Sequence, residues 1–104
     1  MRIQFDHIEW QQVAPGLRSK TFEQQGQRIR IVEFGEEFVE TDWCTNGHLG
    51  YVLEGELEIN LSGQITAFRK GDGIFLPPGE LHKHKHHATI LPTRLFLVEQ
   101  TDDK

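Results

Sequence analysis

A hydrophobic period of two that never gives way to a helical one is what most restricts the fold of this chain. In Glu56-Leu57-Glu58-Ile59-Asn60-Leu61, the residues Leu57, Ile59 and Leu61 point one way and Glu56, Glu58 and Asn60 the other. Gln27-Arg28-Ile29-Arg30-Ile31 alternates in the same manner. Turn signals cut the chain between such runs: Pro15-Gly16, Gly26, Gly35, Asn46-Gly47, Ser62-Gly63, Gly71-Asp72-Gly73 and Pro78-Gly79. The spacing predicts strands over residues 17–23, 27–34, 38–43, 48–54, 56–61, 64–69, 73–76, 82–91 and 94–100. Short, regularly interrupted antiparallel strands point to an all-β sandwich or small barrel. Val52, Leu57, Ile59, Phe75 and Leu76 are expected in its core.

With 104 residues the chain is long enough for one such core, a single domain over 1–104. Eleven Lys and Arg against sixteen Asp and Glu leave a net charge of −5, the wrong sign for coating nucleic acid or an anionic membrane. The one cysteine, Cys44, has no intramolecular disulfide partner. The opening MRIQFDHIEW lacks the apolar stretch of a secretion signal, and no later apolar run approaches the roughly 18 residues of a membrane span. The expectation is a cytoplasmic domain, with residues 1–16 and 101–104 as its loosest segments.

Two predicted strands are apolar on both faces, at Ile31-Val32 and at Leu95-Phe96-Leu97-Val98. A strand buried on both sides needs a second layer over its outer face. Either a second copy of the chain supplies it, giving a homodimer, or the N-terminal segment Ile3 to Val13 folds over that face.

The segment from Gly71 to His82 has its own mechanical logic. A turn at Gly71-Asp72-Gly73 launches the short strand Ile74 to Leu76, and Pro77-Pro78-Gly79 then forces a reversal, since proline fixes φ and glycine permits positive φ. Glycine, five residues, proline, one residue, glycine, two residues, histidine is the second motif of the cupin family. Gly71, Pro77, Gly79 and His82 match it without a gap. The preceding Tyr51-Val52-Leu53-Glu54-Gly55-Glu56-Leu57 resembles the strand and turn that close the first cupin motif. The resemblance covers roughly residues 30–99 and implies a small barrel of jelly-roll type with a pocket inside.

In many cupins that pocket holds a divalent metal on three histidines and a glutamate. Counting back from Gly55, the glutamate's place falls on His48 and the first-motif histidine places on Asp42 and Cys44, so this chain departs from the family pattern there. A substitute set remains chemically able: imidazole suits Zn, Fe, Ni, Mn or Cu, and thiolate favours softer ions such as Zn. His82, His84 and His86 lie two apart and share a strand face, with Lys83, Lys85 and His87 on the other. The candidate metal ligands are therefore Cys44, His48, His82 and His84, with His86 nearer the rim. Each has a structural role open to it as well. His48 could be a satisfied core histidine, the His82–His87 run a solvated strand face, and Cys44 a small buried hydrophobe.

Other chemistry is not marked out. Gly71-Asp72-Gly73 is not followed by a helix, as a phosphate loop would be, and Ser19, Ser62 and the Glu54, Glu56, Glu58 series form no arrangement that the sequence certifies. Three functions stay open. The chain is a metal-dependent enzyme of dioxygenase or isomerase type acting on a small organic molecule, with His82 or His84 able to serve as base; or a non-catalytic binder or sensor of a small ligand; or a barrel whose site is vestigial.

Overall fold

The computed structural model describes residues 1–101; the last three residues of the expected loose C-terminus, 102–104, lie outside the described residues. Seven strands follow in order: β1 (Gln11–Ala14), β2 (Leu17–Gln24), β3 (Gln27–Phe34), β4 (His48–Leu61), β5 (Gln64–Arg69), β6 (Gly73–Leu76) and β7 (His84–Gln100). All pair antiparallel in the order β1-β2-β3-β7-β4-β5, with β6 on the free edge of the first half of β4. The result is an all-β, barrel-like jelly roll whose sheet is not closed, since β1 and β5 end the path without pairing to each other.

Two strands are longer than the turn signals suggest. The predicted strands 48–54 and 56–61 are one strand of 14 residues, and 82–91 and 94–100 belong to one of 17. The ladder between them slips at Val52, Glu54 and Glu56, where Gly55 takes φ +91° and a Cβ would run into the Pro92 carbonyl oxygen. Gly55 is thus a bulge and not a chain reversal: it bends a continuous pair of strands and folds the sheet over onto itself. Inside the fold, Val32, Val52, Leu57, Ile59, Ile74, Leu76, Leu95 and Leu97 form one apolar cluster.

The structure corrects three further expectations. Residues 38–43 form no strand; the loop between β3 and β4 lines the cavity, and its one backbone bridge to a strand is at Cys44 and His84, which exchange hydrogen bonds of 2.8 and 2.9 Å. The predicted strand at 82–91 begins only at His84, because the reversal at Gly79 continues as a 3₁₀ turn over Glu80–His82. Phe75, expected in the core beside Leu76, is 75% exposed. Neighbouring strand residues point to opposite faces, so Ile74 and Leu76 inside put Phe75 outside.

Of the segments expected to be loose, 1–16 is in part docked: β1 pairs with β2, and Lys20 Nζ donates to the Phe5 carbonyl at 3.0 Å. This segment supplies part of the second layer over the two-sided strands. Phe5 packs edge-on against Phe96, with ring centroids 6.3 Å apart, and the Trp10 ring lies under the Arg18 guanidinium at 4.3 Å. The remainder of that outer face, with Leu49, Tyr51, Phe75 and Val98, stays exposed.

Candidate metal centre

The bend at Gly55 brings the start of β4 against the start of β7. His48 opens β4, and His84 opens β7; their rings meet edge to face, 4.9 Å between centroids. Cys44 arrives from the loop between β3 and β4, held by its paired hydrogen bonds to His84. The ligand atoms of Cys44, His48 and His84 all lie within 4.8 Å of one another, and Cys44 Sγ is 3.8 Å from His48 Nε2. A tetrahedral zinc with one thiolate and one imidazole holds those two atoms about 3.6 Å apart.

Each imidazole has its other nitrogen engaged. His48 Nδ1 sits against Glu99 Oε2 as an ion-pair contact, and His84 Nδ1 lies 3.4 Å from the His82 carbonyl oxygen, the acceptor that fixes its proton there. His48 Nε2 faces the Cys44 sulfur, and His84 Nε2 is buried without a hydrogen-bond partner. Carboxylate and carbonyl groups orient metal-bound histidines in this way. Burial pushes the His84 imidazole below its ordinary value, and charge repulsion from His48 adds to the effect. It is accordingly neutral near pH 7, the form a metal requires.

Three of the four candidate ligands are thus brought together, and His82 is not. It sits exposed in the 3₁₀ turn and contributes its backbone carbonyl to the His84 ring. His86 is not at the rim but buried, stacked on Phe34 at 5.2 Å and met edge-on by Phe38. Its backbone N–H donates to Glu40 Oε1. Asp42 is exposed and outside the cluster, while His87 faces out as expected.

The residue that sequence reasoning missed is Glu99. It is 4% exposed, accepts from Arg28 Nε and Arg30 Nη2, both at 2.7 Å, and contacts His48. Burial alone would raise its pKa. The hydrogen bonds from His48 and Arg30, with the positive field of Arg30, outweigh that and hold it at about 2. A signal was present: Glu99 is in phase with Leu95 and Leu97, which makes it an acidic residue at a core position.

Cys44, His48, His84 and His86 line a cavity of about 210 Å³. That is below the roughly 300–1,000 Å³ of drug-sized pockets, so it suits a small molecule. Its charged end holds Arg28, Arg30, His48 and Cys44; its apolar walls include Val32, Leu57, Ile59 and Leu95.

A jelly roll enclosing a small pocket with histidines at the starts of two facing strands is a cupin arrangement, and the cupin domain model matches residues 31–99. The chain belongs to the cupin family. Similar solved structures include KdgF from a Halomonas species, with 23% identity over 94% of this chain and 92% of that one at a TM-score of 0.76. A RmlC-like cupin from Shewanella frigidimarina has 19% identity over 95% and 88%, also at 0.76. The polyketide cyclase RemF from Streptomyces resistomycificus has 17% identity over 98% and 80%, at 0.77. At these identities the likeness establishes the fold. No curated protein matches by sequence. Among the described residues, no helix is long and apolar enough to cross a membrane.

Proposed function

We propose that this cupin binds a divalent transition metal through Cys44, His48 and His84 and acts on a small organic molecule in the adjoining cavity. The observation that carries the reading is that the ligand atoms of Cys44, His48 and His84 lie within 4.8 Å of one another, with His48 Nε2 facing the cysteine sulfur and His84 Nε2 buried without a partner. One sulfur and two nitrogens favour zinc over harder ions such as manganese. Three protein ligands leave a coordination position open, and a metal held there supplies Lewis-acid polarisation of a substrate oxygen or an activated water. The chain's own residues supply the rest. Glu99 orients His48, the His82 carbonyl orients His84, and the apolar walls exclude bulk water. A neighbour that is a polyketide cyclase agrees with an enzyme of isomerase or cyclase type.

The reading extends to assembly: a second copy covers the exposed Leu49, Tyr51, Phe75 and Val98, giving a homodimer. The second functional reading, a ligand-binding cupin without turnover, is favoured by the departure from the family ligand pattern at Asp42 and Cys44.

Metal content and titration calorimetry on protein purified without a histidine tag test the metal site. Zinc binds the wild type at one equivalent, and His48→Ala or His84→Ala lowers the affinity at least about tenfold, whereas His82→Ala and His87→Ala leave it within about twofold. Cys44→Ser lowers zinc affinity more than manganese affinity. Equal zinc binding by wild type and His84→Ala would overturn the assignment.

A further inference from the structure

The interior carries more positive charge than its one buried carboxylate needs. Arg28 and Arg30 are in phase with Val32 on β3, so both guanidiniums point into the cavity, and both donate to Glu99. Arg30 spends one nitrogen on Glu99; its Nε is buried and has no acceptor among the described residues. Glu23 lies 3.9 Å from Arg28, but it is nearly half exposed and screened by water, and it does not reach Arg30. The acid that lines the cavity, Glu40, accepts from the His86 backbone N–H beside Phe34 and Phe38 and pairs with neither arginine. A cationic donor left with unused N–H groups in an apolar chamber calls for an anion.

We propose that Arg30, backed by Arg28, is a carboxylate anchor, and that the molecule held in the cavity is a short hydroxy- or oxo-carboxylic acid. Glu99 Oε2 accepts from Arg30 Nη2 and contacts His48 Nδ1, so the guanidinium lies one carboxylate and one imidazole away from the Cys44–His48–His84 group. A carboxylate on Arg30 therefore leaves a neighbouring hydroxyl or keto oxygen within reach of that group, and a cavity of about 210 Å³ matches a small acid. The anchor stands on the arginines alone; the assignment of the second oxygen rests on the metal reading.

Lactate, with lactamide as its uncharged counterpart, tests this by calorimetry on the zinc-supplemented protein, with zinc stoichiometry measured on the same samples. Lactate binds at least about tenfold more tightly than lactamide, and Arg30→Gln removes that preference. Arg30→Lys, which keeps the charge and loses the planar fork, falls between, and serves as the readout if Arg30→Gln fails to fold. The exposed control Arg69→Gln leaves the preference unchanged. Equal binding of lactate and lactamide, or a preference that survives both Arg30 variants, overturns the anchor. Zinc binding without lactate preference removes the anchor and leaves the metal reading standing; an Arg30-dependent preference without zinc binding does the reverse.

Discussion

The two faces of the wall formed by β3, β7, β4 and β6 invert the usual rule for a small protein. Its inner face carries a buried Glu99 with Arg28, Arg30 and His48 half-buried around it. Its outer face carries Ile29, Ile31, Phe96, Val98, Leu49, Tyr51 and Phe75, paired across the strands as Ile29–Val98–Leu49–Phe75 and Ile31–Phe96–Tyr51. A strand alternates regardless of which side is the core, so one row must be in whenever the other is out. The register here is chosen by Val32, Leu95 and Leu97, which lie 1%, 4% and 6% exposed, and the charged residues in phase with them are carried inside. Polar groups are tolerated in this interior because they pair with one another, and the apolar groups outside are what the proposed dimer would cover.

The largest effect is expected at Glu99. Replacing it by Gln leaves two half-buried guanidiniums without their anion, and chemical denaturation is expected to show a loss of about 3 kcal/mol, the low end for a buried pair because water reaches both arginines. A loss below 1 kcal/mol would mean that the arginines turn readily to solvent. Adjacent residues on β6 give the next contrast. Leu76→Ala empties a core position and costs about 2–5 kcal/mol. Phe75→Ala, despite removing the larger side chain, is expected to cost under about 1 kcal/mol in the monomer. Its effect belongs to association: sedimentation equilibrium should find a weakened dimer, and a wild type that sediments only as 12.1 kDa at micromolar concentration removes the dimer proposal.

Acid sharpens the same contrast. The folded-state pKa of Glu99 is lowered from 4.5 to about 2, so its contribution is complete above pH 4.5 and is lost as pH falls toward 2. The size is about 3 kcal/mol, at roughly 1.4 kcal/mol per pH unit. His84 and His86, both lowered from 6.5 mainly by burial, act in the same direction: the unfolded chain takes up their protons first, so stability declines as pH drops below 6.5. Stability curves measured from pH 7 to 2 should fall in two stages, and Glu99→Gln should shrink the lower one, leaving the part that belongs to Glu33, whose carboxyl, despite partial burial, Arg18 and Arg94 hold below its ordinary value.

Much of this was legible along the chain. The alternation in Glu56 to Leu61 shows a strand with Leu57 and Ile59 inside, and the Gly71–His82 spacing shows a cupin, because both depend on neighbours a few residues apart. The candidate ligands Cys44, His48 and His84 could be named for their chemistry, while their meeting could not be read from it. His48 and Cys44 are four residues apart, but His84 joins them only because β4 and β7 bend together at Gly55 and Pro92. His82 shows the limit from the other side: a period of two places it with His84, and a 3₁₀ turn of one residue too many takes it out of phase.

Local pattern thus settled strand, turn and family, since backbone sterics and side-chain alternation act over short range. Which face of β3 is the inside was left to tertiary structure. The run Gln27 to Ile31 reads equally well with its isoleucines or its arginines inward, and only the pairing of β3 with β7 decides it. Val32 packs opposite Leu95, Arg28 opposite Glu99, and a buried carboxylate 71 residues away turns two arginines toward the cavity. Burial and charge pairing are sums over contacts distant in sequence, and those sums exist only once the chain has folded.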